Sequence, residues 1–236
     1  MQFAVVLCPA TAAAQQGWRA DVVTLSSPER RIEAPMPSLA VDGDGNAAAV
    51  WIQGESANSQ NDVTHVQTAR FSALTRTWTV PRTLTTRGGA SSAAVGADRT
   101  GNAVAVWRQF DGSTFRIAAA RYRAADDAWT APVALSAPSG PAHTPVMRVD
   151  RRGNAIVLWA RELPAAELVI EAITMDATTG AWSGVVALSQ AVGFTATMDL
   201  GVDAEGNAMA VYSLDPTGLR WARYVAADGT WSPPGR

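Results

Sequence analysis

The chain has 236 residues, 47% hydrophobic and 17% charged, a composition that excludes a disordered chain and a coiled coil. All 19 basic residues are arginine, and the formal net charge of −2 excludes a surface built to neutralise many phosphates. No nucleic-acid partner is therefore expected.

The N-terminus comes first in chain order. Phe3 to Ala10 is an apolar run, followed by small Thr11-Ala-Ala-Ala14 and polar Gln15-Gln16. That order reads residues 1–14 as a secretory signal peptide, with a secreted or periplasmic mature protein starting at residue 15. Met1-Gln2 departs from the pattern in carrying no basic side chain. Cys8 is the single cysteine, so no intrachain disulfide can form. No other apolar run approaches the roughly 18 residues that a membrane span needs.

Residues 15–236 are dominated by a repeat. Four segments share Asp-x-x-Gly-Asn-Ala-x-x-apolar-aromatic: Val41 to Trp51, Ala97 to Trp107, Val149 to Trp159 and Val202 to Tyr212. Their asparagines, Asn46, Asn102, Asn154 and Asn207, stand 56, 52 and 53 residues apart. A second marker runs in phase. Trp18, Trp78, Trp129 and Trp182 each open a stretch ending in Leu-Ser or Leu-Thr, and Trp231 starts a fifth. A third marker precedes the last four of these tryptophans, as in Ala69-Arg-Phe71 and Ala120-Arg-Tyr122. The repeats run over 18–78, 79–129, 130–182 and 183–231.

Each period of about 53 residues predicts four short strands. Strand one ends at the Asp. The Asp caps its own turn, and the Gly supplies a positive φ. Strand two begins at the Asn, with Ala47, Ala49 and Trp51 on one face and Ala48 and Val50 on the other. Apolar residues on both faces predict a strand buried on both sides. Strand three carries the Ala-Arg-Tyr marker and strand four the Trp marker. Four-stranded sheets at this period, stacked face to face, predict an all-β propeller of four blades, or a four-blade piece of a larger one. A β-sandwich does not predict so faithful a repeat. The element at Trp18 to Ser26 is a fourth strand without three before it. It is expected to pair with Leu219 to Ala226 and close the ring; otherwise the chain belongs to a longer array or needs partner copies.

The Val-Asp-x-x-Gly-Asn-Ala-x-x-Val-Trp pattern resembles the repeat of bacterial secreted β-propeller proteins. It is also distantly similar to Asp-box sialidase and lectin propellers, with Asp228-Gly-Thr-Trp231 and Gly180-Ala-Trp182 at the corresponding turn. The Asp-box serine and its spacing are absent here.

Several constellations compete as sites. Asp42-Gly-Asp-Gly-Asn46 resembles the start of a calcium loop. Its companion Asp44 is Thr100 and Arg152 in the next repeats, so turn capping is preferred and neither metal nor cofactor is expected. Arg70, Arg121 and Arg223 share one repeat position and could form a carboxylate-binding cluster. A position repeated around a ring is usually structural, each arginine pairing with a neighbouring acid or capping a blade edge, and the fourth copy is Thr174. Glu162, Glu167 and Glu171 cluster in sequence, as a hydrolase pair would, but chain spacing does not give a separation in space.

Antiparallel strands place the uniform Asp-x-x-Gly turns on one face and the variable connections on the other. Variable loops on a rigid scaffold are where binding concentrates. Trp51, Trp107, Trp159 and Tyr212 end strand two towards that face, beside Arg108 and Arg161. These six residues are the predicted ligand site, with the aromatic rings stacking on sugars. On that reading Trp107→Ala weakens binding, whereas Trp129→Ala, next to the tight turn, unfolds the protein. The expected function is non-catalytic binding of a glycan or a cell-surface or extracellular protein. The alternatives are a sialidase-like glycoside hydrolase and a structural repeat without a small ligand.

Overall fold

The computed structural model describes residues 23–27, 29–32, 37–55, 63–190, 197–213 and 218–232. The leader, Cys8 and Trp18 to Val22 lie outside them. Four antiparallel sheets follow one another along the chain. The first holds β1 (Ser38–Val41), β2 (Ala47–Gly54), β3 (Thr64–Ser72), β4 (Thr77–Trp78) and β5 (Arg82–Thr83). The second holds β6 (Ala90–Ala97), β7 (Ala103–Phe110), β8 (Phe115–Arg123), β9 (Ala128–Trp129) and β10 (Val133–Ala134). The third holds β11 (Val146–Val149), β12 (Ala155–Glu162), β13 (Leu168–Met175) and β14 (Val186–Ala187). The fourth holds β15 (Thr197–Val202), β16 (Ala208–Ser213), β17 (Arg220–Val225) and β18 (Thr230–Trp231).

Each sheet is a meander of four strand positions, as a propeller blade requires. In the first three blades the outer position is split into a pairing at the tryptophan and a second short stretch after it. Pro81 and Pro132 stand in the gap of the first two, and the third has the gap without a proline. The residue after each outer tryptophan mends the gap with its hydroxyl. Thr79, Thr130, Ser183 and Ser232 accept the strand-three N–H of Arg70, Arg121, Thr174 and Arg223, each at 3.0 Å.

The repeated Asp-Asn pair is a staple. In the second blade Asp98 Oδ1 accepts the N–H of Thr100 and Asn102, and Oδ2 accepts the Asn102 amide at 2.8 Å. Asn102 Oδ1 then accepts the Ala124 N–H from the three-four turn at 3.0 Å. The other three blades repeat this, so each blade's two turns are locked together. The turns also interlock between blades. A Cβ on Gly153 or Gly206 would lie 2.8 Å from Oδ2 of Asp98 or Asp150 in the preceding blade, and both glycines have φ near +90°. Glycine is thus required there by close approach as well as by conformation.

Packing follows the two apolar faces of strand two. Ala48, Val50 and Ile52 of the first blade meet Ala103, Ala105 and Trp107 of the second. Val104 and Val106 meet Ala155, Val157 and Trp159. Ile156, Leu158 and Ala160 meet Ala208, Ala210 and Tyr212. Strand four contributes one leucine to each interface: Leu84, Leu135 and Leu188. Innermost strands of successive blades touch, β1 with β6, β6 with β11 and β11 with β15.

The predicted pairing of residues 18–26 with Leu219 to Ala226 falls mostly outside the described residues. The described part, Val23 to Ser26, forms no strand. Leu25 packs on Ala49, Trp51 and Ala69 of the first blade. That is the position Leu84, Leu135 and Leu188 hold towards the next blade, so Leu25 behaves as the strand-four leucine of a blade preceding the first.

Candidate functional site

The variable connections gather on one face, as antiparallel strands dictate. There the incoming loops of the first three blades each cross the end of their own strand two. Gly54, Phe110 and Glu162 donate their backbone N–H to the carbonyls of Arg31, Gly89 and Pro141, each at 2.9 Å. Gly140 permits the closest crossing, since a Cβ there would lie 2.0 Å from the Glu162 carbonyl oxygen.

The aromatic residues predicted as stacking platforms are buried. Trp107, Trp159 and Tyr212 are fully enclosed between blades, and Trp51 is 5% exposed. The stacking expectation is therefore corrected: the rings of Trp107, Trp159 and Tyr212 are covered by the neighbouring blade, Trp51 is packed with Ala49, Ala69 and Leu25, and none offers an open plane to a sugar. Their polar edges are also committed. Trp51 and Trp107 donate Nε1–H to Gln53 and Gln109 at 3.1 Å, Trp159 donates to Glu171 at 2.8 Å, and the Tyr212 hydroxyl donates to the Leu188 carbonyl at 2.6 Å.

The two predicted arginines are held as well. Arg108 lies 3.6 Å above the Phe115 ring and donates Nε–H to the Ala142 carbonyl at 2.8 Å. Burial lowers its pKa from the ordinary arginine value. Arg161 forks onto Glu171, with Nε at 2.8 Å and Nη2 at 2.7 Å from Oε1. Glu171 is thus a shared acceptor for Arg161 and Trp159, and both members of the ion pair are largely buried. The structure does not bring the six predicted residues together around one cleft.

Two of the three arginines of the repeated cluster also resolve into scaffolding. Arg70 stacks on Tyr122 of the next blade at 3.6 Å, and Arg121 donates to the Ala177 carbonyl of its next blade at 2.5 Å. Both arginines bolt blades together.

What the face does contain is a cleft between the third and fourth blades, of about 380 Å³. His143 and Thr144 line it from the incoming loop, Glu162 from the end of β12, Leu168 from the start of β13 and Met198 from β15. Ala166, at the end of the short 3-10 turn Pro164–Ala166, also lines it with φ +60°, a conformation strained for a residue with a Cβ. His143 Nε2 stands 3.6 Å from Glu162 Oε2, and the two side chains are 42% and 37% exposed. Polar groups over an apolar floor suit a small polar ligand. A second His-Glu pair stands on the first blade, where His65 Nε2 is 3.1 Å from Glu55 Oε1 and Nδ1 is 2.9 Å from the Thr85 hydroxyl. Sequence spacing missed both pairs, because each joins residues from different loops or strands.

One loop of this face is pinned by a single carboxylate. Asp111 accepts the N–H of Thr114 and Ser113 and the Ser113 hydroxyl, each at 2.9 Å. These bonds hold its pKa at about 2, against an ordinary 3.8. The folded value is the lower one, so this contribution is present above about pH 4 and is lost as pH falls through 2. An NMR titration of the Ser113 and Thr114 amides should show a midpoint near 2. A midpoint near 3.8 would mean the turn is not closed by Asp111.

The sequence matches no protein-family model and no curated protein sequence. Similarity to solved structures is at the level of fold. A protein of unknown function from Dyadobacter fermentans matches with TM-score 0.58 and 14% identity, over 89% of this chain and 74% of that one. The fucose-specific lectin of Aleuria aurantia matches with TM-score 0.53 and 14% identity, over 84% and 60%. An ulvan lyase matches with TM-score 0.51 and 12% identity, over 83% and 56%. The chain thus spans little more than half the length of the lectin and the lyase. The fold is a β-propeller of four four-stranded blades.

Proposed function

We propose that the protein binds a glycan in the cleft between the third and fourth blades, without cleaving it. The observation that carries the reading is the His143–Glu162 pair above the apolar floor of Leu168 and Met198. An imidazole and a carboxylate can hold adjacent sugar hydroxyls, and the aliphatic floor can receive the apolar side of the ring. Among the described lining residues Glu162 is the single carboxylate, whereas glycoside hydrolysis ordinarily employs two. The names of the fold neighbours, a fucose-specific lectin and a polysaccharide lyase, support a carbohydrate ligand. The leader-like residues 1–14 and the resemblance to bacterial secreted propeller repeats support a secreted or periplasmic location.

The test pairs a glycan array with a panel of aryl glycosides. Glu162→Gln should weaken glycan affinity by about 10- to 100-fold, the loss of one hydrogen bond to a charged group, with an unchanged melting temperature. An array that stays silent for the wild type would overturn the reading. Aryl glycoside turnover abolished by Glu162→Gln would replace it with a hydrolase.

A further inference from the structure

The two ends of the blade stack carry complementary apolar positions that are exposed in the structure; at the first blade they lie beside the strip that Leu25 covers. On the outward face of the fourth blade Leu219, Met209 and Trp221 are 66%, 41% and 40% exposed. Strand register shows what these positions do elsewhere. Met209 pairs with Arg223 as Ala48 does with Arg70, Val104 with Arg121 and Ile156 with Thr174. Leu219 stands two residues before Trp221, where the other blades have Val66, Ile117 and Ile170. All three of those are fully buried in the interface with the next blade. The fourth blade therefore presents a blade-docking face with nothing docked among the described residues.

The innermost strands repeat the point as a knob and a socket. Between the second and third blades Val149 sits over Gly96. A Cβ on Gly96 would lie 2.6 Å from Val149 Cγ2, with Met147 Cε at 3.5 Å. In register, Val41 and Leu39 of β1 correspond to Val149 and Met147 of β11, and Gly201 of β15 corresponds to Gly96 of β6. Val41 and Leu39 are 57% and 60% exposed, and a Cβ on Gly201 would meet nothing within 4 Å. Among the described residues the first blade thus offers an unpaired knob and the fourth an unfilled socket.

We infer that a second copy of this chain docks its first blade, through Val41 and Leu39, onto the fourth blade, around Gly201, Met209, Leu219 and Trp221. The interface continues one that the chain already forms between each pair of successive blades. It is heterologous, joining different patches of the two copies, and so leaves each copy one further face to offer. Trp221 stands where the other blades have Thr68, Ala119 and Ala172, so this contact buries a large ring in place of a small side chain.

The experiment is sedimentation of the chain over a range of concentrations, with Gly201→Leu and Val41→Glu as blocking variants. Among the described residues no side chain packs on Gly201 and Val41 is 57% exposed, so both variants should fold. Wild type should sediment with the mass of more than one chain, and each variant alone with the mass of one. Mixed one to one, the variants should recover a two-chain complex, because each retains the face the other lacks. Wild type that stays single at all concentrations would overturn the inference. So would single-chain wild type whose melting temperature drops on Gly201→Leu, since the chain would then be closing on itself. Failure of the mixed variants to associate would overturn it as well.

Discussion

Trp107→Ala is expected to destabilise the protein by about 3–5 kcal/mol, the cost of truncating a large buried aromatic. For a chain of this size that is a fall of roughly 6–20 °C in melting temperature. The ring is fully buried between Val50 and Ile52 of the first blade and its own sheet, and Nε1–H reaches Gln109 at 3.1 Å. Truncation removes dispersion contacts on both sides and leaves a cavity between blades that the rigid meanders cannot collapse into. Trp129→Ala should cost less. Its ring is half-buried and tilted onto Tyr122 at 5.6 Å, so part of its surface is already in water. This ordering reverses the one drawn from loop variability. Thermal unfolding of the two variants checks it. A Trp107→Ala variant that melts like wild type but loses glycan binding would restore the ring as a ligand platform.

The reversal shows where the sequence was legible. The repeat set the strand order, the turn chemistry and the two-sided burial of strand two, because each depends on neighbours within about ten residues. Asp98 and Asn102 read as a capped turn and are one. The second job of Asn102, holding Ala124 of another turn, was invisible, since it joins residues 22 apart. The site suffered most. Strand two ends on the variable face, but a side chain at its end can still lie under the next blade. Only stacking decides that, and stacking is a property of sheet pairs. The cleft at His143 and Glu162 is assembled from two loops and two blades; Glu162 stands out only as part of an acidic cluster, and no spacing joins it to His143. A signal was present all the same. Where the second repeat has Gln109 and Ala118, the third has Arg161 and Glu171, a paired exchange at positions that register makes neighbours.

That exchange sets up the last expected result. Glu171→Ala should destabilise the protein by about 3–5 kcal/mol, because it strands a largely buried Arg161 without its counter-charge. It also leaves Trp159 Nε1–H, fully buried, without its acceptor at 2.8 Å. The loss should be repaired by a second substitution that adds no charge. The second blade solves the same problem with neutral groups: Trp107 bonds Gln109, and Ala118 stands opposite Trp107. Trp159 faces Glu171 in the same register, and Arg161 follows Trp159 by two residues as Gln109 follows Trp107. Arg161→Gln combined with Glu171→Ala therefore rebuilds the second blade's arrangement inside the third. Removing both charges also removes the desolvation penalty of the pair, so the double variant should recover most of the stability lost by Glu171→Ala. Denaturant unfolding of the wild type, the two single variants and the double variant measures the coupling directly. If the double variant is as unstable as Glu171→Ala, the ion pair is not what makes Glu171 necessary, and the cost lies in the cavity left by its side chain.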